Sequence, residues 1–206
     1  MEKDITIIFH NRGLRSYIEV DLCAECPRQD DKGCCGYYSP IFYPTDLAYL
    51  LVHQPELLDY IFSLDHLTIL DASVTVNSTI EGSSYRCRFH SKETGCILTQ
   101  SLRESICRHF VCSGIGWWED EALQDWHAFF NQLTDYEIEL NHRWSECLKE
   151  QGLSLRDTSL RERFFTELRR LYAQDISPPP DFITVMPRED TRTLKRSLRF
   201  GADWIL

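Results

Sequence analysis

Eight of the nine cysteines in this 206-residue chain fall into two groups, and thiols grouped in this way are candidates for holding a metal. The first group reads Cys23-x2-Cys26-x7-Cys34-Cys35. The second reads Cys87-x8-Cys96-x10-Cys107-x4-Cys112, with 51 residues between the groups. Two thiolates separated by two residues chelate one ion from a tight turn, whose backbone N–H groups also hydrogen-bond the sulfurs. Adjacent Cys34 and Cys35 point to opposite sides of an extended chain, so they serve two sites, or bridge, more readily than they share one tetrahedral ion. Eight ligands equal two four-cysteine sites. All-sulfur ligation favours zinc, iron–sulfur or copper(I) over magnesium and calcium. The spacing matches neither familiar ferredoxin run, and only Cys23-x2-Cys26 has the step of a zinc knuckle. The cofactor is therefore expected to be zinc or iron, with a 4Fe-4S cluster as one form of the latter.

Other chemistry is weakly represented. The chain has no Walker loop, no GxGxxG after a strand, no HExxH and no GxSxG, and its Ser, His and Asp residues do not assemble a triad by spacing. No catalytic residue and no organic cofactor site is expected. Cys147 continues a helical stripe after Leu140 and Trp144 and reads as a packed core thiol. His90 and His109 stand beside ligand cysteines and read as bystanders or as donors to a sulfur. Arg103 and Arg108 either neutralise thiolate charge or pair with carboxylates, the former being slightly favoured. His127 and His142 fall off the apolar stripe and are expected to face solvent.

Bulk properties narrow the class. The formal charge of −10 and pI near 5.1 argue against nucleic acid as the main partner, because phosphate binding needs a basic surface. Arg192, Lys195, Arg196 and Arg199 form a local basic run that reads as a solvated face. The acidic opening Met1-Glu2-Lys3-Asp4 and the short apolar stretch from Ile5 to Phe9 fit neither a signal peptide nor a membrane span. The expectation is a cytoplasmic protein without a membrane partner, in a compartment where thiols stay reduced and serve as ligands rather than disulfides.

The elements that would position the cysteines follow from periodicity. Ile5, Ile7 and Phe9 alternate, as do Ile18, Val20 and Leu22, giving strands before the first cluster. Pro44-Thr45-Asp46 offers an N-cap to a helix over about 46–53, and Pro55 starts a second with Leu58, Ile61 and Phe62 on one face. Thr68 to Val76 reads as a strand, and another runs through Tyr85 to Phe89 into the second cluster. From about Glu119, Leu123, Trp126, Phe130, Leu133, Leu140, Trp144 and Cys147 recur at steps of three and four, with Gly152 as the stop. The acidic Glu119-Asp120-Glu121 suits the start of that helix. A second helix spans about Leu160 to Tyr172, with Phe164, Leu168 and Leu171 inward and Ser159 with Glu162 as its capping box. Pro178-Pro179-Pro180 ends it, and the last 25 residues form a strand-and-turn tail.

The cysteine order, together with Gly95-Cys96-Ile97-Leu98, Arg103 and Ile106-Cys107-Arg108-His109-Phe110-Val111-Cys112, resembles the CxxCxxCC cysteine-cluster family of zinc- or iron-chelating proteins. The likeness covers roughly residues 20–115. Arg103, Cys107, Arg108, Phe110 and Cys112 match the family's Arg-Pro, Cys-Arg-x-Phe-x-Cys string. Seven residues rather than two separate Cys26 from Cys34, and Glu104 stands where the family often has proline. The resemblance implies metal chelation. A related cluster occurs in the longer flagellin lysine methylases, which implies an alternative: an iron–sulfur enzyme or redox module.

The expected fold is α+β: an irregular cysteine-rich metal-binding core of short strands and helices over residues 1–115, and a C-terminal antiparallel helical pair with its tail over 116–206. The two are expected to pack as one unit. The expected function is chelation of zinc or an iron–sulfur cluster through Cys23, Cys26, Cys34, Cys35, Cys87, Cys96, Cys107 and Cys112, in a structural, storage or accessory role. The helical region, with Trp204-Ile205-Leu206, is the expected contact for a protein partner.

Overall fold

Helices and strands are mixed along the chain in the computed structural model, which describes residues 2–21, 34–82, 84–91 and 94–197. The order is β1 (Glu2–His10), β2 (Tyr17–Val20), α1 (Cys34–Tyr37), β3 (Ile41–Phe42), α2 (Pro44–His53) and α3 (Pro55–Ser63). Short strands β4 (Leu67–Ile69), β5 (Val74–Val76), β6 (Thr79–Glu81), β7 (Ser84–Arg86), β8 (His90–Ser91) and β9 (Gly95–Cys96) lead to α4 (Ser105–His109). Then come α5 (Gln124–Glu150), α6 (Arg161–Asp175), α7 (Asp181–Thr184) and β10 (Glu189–Ser197). The mixed helix-and-strand class agrees with the α+β expectation.

The alternation of β1 does what its pattern predicts. Ile5, Ile7 and Phe9 are fully buried on one face, and Ile18 of β2 joins them. The surprise is the far neighbour: β10 pairs antiparallel with β1 along its whole length, from Glu2 opposite Ser197 to His10 opposite Glu189. The tail is thus the third strand of the first sheet, in the order β10-β1-β2. Phe9 carries the sheet onto α5, stacking 5.0 Å from Trp126 and tilting 5.1 Å from Trp117. One continuous apolar core runs from the sheet through α2, α5 and α6. The basic run on β10 is tied down: Arg192 pairs with Asp190, Arg196 donates to the Ile115 carbonyl, and Lys195 lies opposite Asp4. Arg199 and Trp204-Ile205-Leu206 lie outside the described residues.

Several element boundaries depart from the sequence reading. α2 begins at Pro44 rather than Asp46. Proline's fixed φ suits the first helical position, and the Asp46 carboxylate accepts from the Tyr43 N–H at 3.2 Å. The stretch from Thr68 to Val76 is a hairpin rather than one strand, because Leu70 N–H bonds back to the Ser73 carbonyl. β7 ends at Arg86 instead of running to Phe89. Two 3-10 turns, Trp117–Glu119 and Glu121–Leu123, occupy the acidic stretch before α5, and Asp120 caps the second by accepting from Ala122 N–H. α6 is preceded by the turn Thr158–Leu160, capped by Asp157 through Ser159 N–H, in place of the Ser159–Glu162 box. Gly152 does stop α5: at φ +68° it bonds to Lys149, and Leu153 N–H reaches the Leu148 carbonyl.

Candidate metal centre

Segments far apart in sequence place cysteines around one cavity. Cys34 and Cys35 open α1, and the Cys35 carbonyl accepts from Cys87 N–H at 2.6 Å, which docks the chain just after β7 onto that turn. Cys96 closes β9 opposite His90 of β8. Cys107 sits in α4, whose N-cap Glu104 accepts from the Ile106 and Cys107 N–H groups at 2.9 and 2.8 Å. Cys35, Cys87, Cys96 and Cys107 all line one cavity of about 280 Å³. Phe42, Phe89, Leu98 and Phe110 supply its apolar walls, and Arg103 and Glu104 are its charged lining residues.

The cavity's carboxylate is unusual in its setting. Glu104 is 1% exposed, and burial, reinforced by the charge of Asp46, pushes its carboxyl above the ordinary range. The Tyr38 hydroxyl donates to it at 3.4 Å and is itself pushed up by burial and then by the Glu104 charge. Arg103 turns its Nε–H to the Leu98 carbonyl at 3.1 Å. The loop from Leu98 to Arg108 is therefore held by its own polar groups as well as by its apolar side.

Behind this loop lies a buried network of four charges, Arg15, Asp46, Arg108 and Glu137. Arg15 donates to Asp46 at 2.5 Å and, through its other terminal nitrogen, to the Ser101 and Arg103 carbonyls at 2.8 and 2.7 Å. Arg108, with no exposed surface, donates to Glu137 and to the Ser16 carbonyl at 2.7 Å, and stands 3.9 Å from Asp46. The two arginines thus clamp the cysteine-bearing loop from both ends, Arg15 at 101–103 and Arg108 at α4. Isolated charges in such a place are costly, and paired ones hold position instead.

The predicted site residues distribute as follows. Cys35, Cys87, Cys96 and Cys107 line one cavity, without three of them being grouped closely enough to hold a metal ion. Cys34 opens α1, a helical turn and not an extended segment. Cys112 packs against the apolar core and does not line the cavity. Cys23 and Cys26 lie outside the described residues. Cys147 packs against the core as expected and accepts from Gln151. Arg103 lines the cavity, whereas Arg108, next to Cys107 in sequence, serves the carboxylates instead of a thiolate. His109 packs edge-on to Phe130 at 5.2 Å, and burial followed by the Arg108 charge holds it well below the usual imidazole range. His142 is exposed, but His127 is half-buried against Trp117.

Arg15, Asp46, Glu104 and Glu137 were not singled out as partners by spacing. Glu137 did carry a signal. It occupies the gap in the stripe Trp126, Phe130, Leu133, Leu140, Trp144, where a four-residue step from Leu133 demands an inward position, and it is 2% exposed.

The donor chemistry suits a soft metal: four thiols share one space walled by apolar groups. Among the described residues no group of three or more His, Cys, Asp or Glu side chains stands ready to hold a metal ion. No helix among them is long and apolar enough to cross a membrane. Comparison with protein-family models, with curated proteins and with solved structures finds no match.

Proposed function

We propose that this protein chelates zinc or an iron–sulfur centre through cysteine thiolates, as the CxxCxxCC cluster family it resembles does. Cys35, Cys87, Cys96 and Cys107 form one centre, and Cys23, Cys26, Cys34 and Cys112 supply the remaining sulfurs. The observation that supports this reading is that four cysteines from both sequence clusters line a single cavity. The short strands of residues 1–115 then form a metal-binding core, and the helical pair of 116–206 supports it and presents a surface to a protein partner. The role is structural, storage or accessory, in a cytoplasmic setting where thiols stay reduced and without nucleic acid or membrane as partner.

The cavity's apolar walls favour one second reading. Phe42, Phe89, Leu98 and Phe110 leave space beside the sulfurs that a closed structural site does not need, as an iron–sulfur enzyme or redox module related to the flagellin lysine methylases would.

Metal analysis of protein made without oxygen tests the proposal. Broad visible absorption with iron and labile sulfide selects the cluster; colourless protein with stoichiometric zinc selects closed sites. Protein without either metal that folds unchanged in chelator refutes both.

A further inference from the structure

A second cavity, of about 300 Å³, lies on the other side of Arg15 and shares no lining residue with the cysteine cavity. Arg12, Arg15, His53, Tyr49, Tyr136 and Tyr172 line it, drawn from the β1–β2 loop and from α2, α5 and α6. Among the described residues its ionisable lining holds no carboxylate, in a chain with 32 acidic residues against 22 Lys and Arg. Pro179 and Pro180 close one edge.

The polar groups are arranged from floor to rim. Arg15 is 4% exposed and sits 4.5 Å over the Tyr49 ring. Its terminal nitrogens are used by Asp46 and two carbonyls, while its buried Nε–H has no partner among the described residues. Tyr172 is nearly buried, with its hydroxyl 3.5 Å from the His53 ring, and Tyr136 donates to the Asp175 carbonyl. Arg12 stands at the rim, 42% exposed, with a loose contact of 3.4 Å to the half-exposed Glu189. A box of tyrosines alone would suit an organic cation, but the Arg12 guanidinium at the rim, held only loosely by Glu189, repels one, whereas Arg15 is already neutralised by Asp46. Arg12 suits an oxyanion, which a guanidinium takes with charge-assisted hydrogen bonds.

We infer that this cavity is a binding site for a small organic anion, with its carboxylate or phosphate held by Arg12 at the rim and its apolar body against Tyr49, Tyr136 and Tyr172. The site does not depend on the metal reading. It adjoins the cysteine loop through Arg15, whose guanidinium holds the Ser101 and Arg103 carbonyls, and through Leu14, whose carbonyl accepts from Arg108.

Four probes of similar size test this on the protein as purified: benzoate, benzyl alcohol, benzyltrimethylammonium and phenyl phosphate, the last separating phosphate from carboxylate. Binding is followed by chemical shifts of ring-labelled tyrosines. Benzoate or phenyl phosphate is expected to saturate and to shift Tyr49, Tyr136 and Tyr172. The alcohol and the cation should bind at least about tenfold more weakly, and Arg12→Gln, at an exposed position that leaves folding intact, should weaken the anion by about tenfold. No saturation by either anion, equal binding of the cation, or an unchanged affinity in Arg12→Gln would overturn the assignment.

Discussion

Replacing Glu137 with leucine removes the carboxylate that Arg108 faces in the dry interior, and the size of the effect follows from the burial. Arg108 has no exposed surface and Glu137 only 2%, so water cannot take the carboxylate's place. Asp46 remains 3.9 Å from Arg108, but it is already engaged by Arg15 at 2.5 Å. Two guanidinium groups would then share one carboxylate. Breaking a buried pair from one side costs about 3–5 kcal/mol, and the residual Asp46 contact places this case near about 3–4 kcal/mol. With a urea slope of about 2–3 kcal/mol per molar, the unfolding midpoint should fall by roughly 1–2 M. Glu137→Gln keeps an acceptor without the charge and should lose about half as much. The double variant Arg108→Met, Glu137→Leu removes both charges and should return to within about 1 kcal/mol of the parent. A Glu137→Leu loss below about 1 kcal/mol, or a double variant as weak as the two singles added, would refute the reasoning.

Three other outcomes are expected. Serine at Cys35, Cys87, Cys96 or Cys107 should each lower bound metal, whereas Cys147→Ser should leave metal content unchanged, as read by elemental analysis of purified protein. Phe9→Ala removes a fully buried ring stacked on Trp126 and tilted against Trp117, and should cost about 3–5 kcal/mol in chemical unfolding. Gly152→Ala meets no atom within 4 Å at its Cβ, so only the left-handed φ of +68° opposes it, and a loss of about 1 kcal/mol in the same assay is expected.

Local periodicity carried much of the fold. Alternation in β1 and β2 and the three-and-four stripe of α5 could be read because each buries one face against a single core. Contacts between distant segments were not readable in this way. β10 looked like a tail because nothing in Glu189–Ser197 names β1 as its partner, and its exposed face carries most of its side chains. The hairpin at Leu70–Ser73 was hidden because β-branched residues flank a turn too short to break the pattern. The capping residue of α6 was misplaced because Asp157, Ser159 and Glu162 all satisfy a cap's chemistry, and only the 3-10 turn selects Asp157.

The site divides along the same line. Residue type names the candidate thiols, and its place on a helix sets Cys147 apart from the others. Arg108 was drawn toward the thiolates by its neighbour Cys107, yet its side chain crosses to Glu137 on α5. That carboxylate appeared only as an interruption in an apolar stripe. Glu104, which replaces a proline expected from the resemblance, turns out to cap α4 and hold the N–H groups of Ile106 and Cys107.

X-ray absorption on metal-replete protein gives the most direct test of sulfur chelation. The account predicts an absorbing zinc or iron atom with a shell of sulfur alone, at about 2.3 Å if the metal is zinc. A shell dominated by nitrogen and oxygen at about 2.0–2.2 Å, or one unaltered by serine at Cys35, Cys87, Cys96 and Cys107 together, would contradict it.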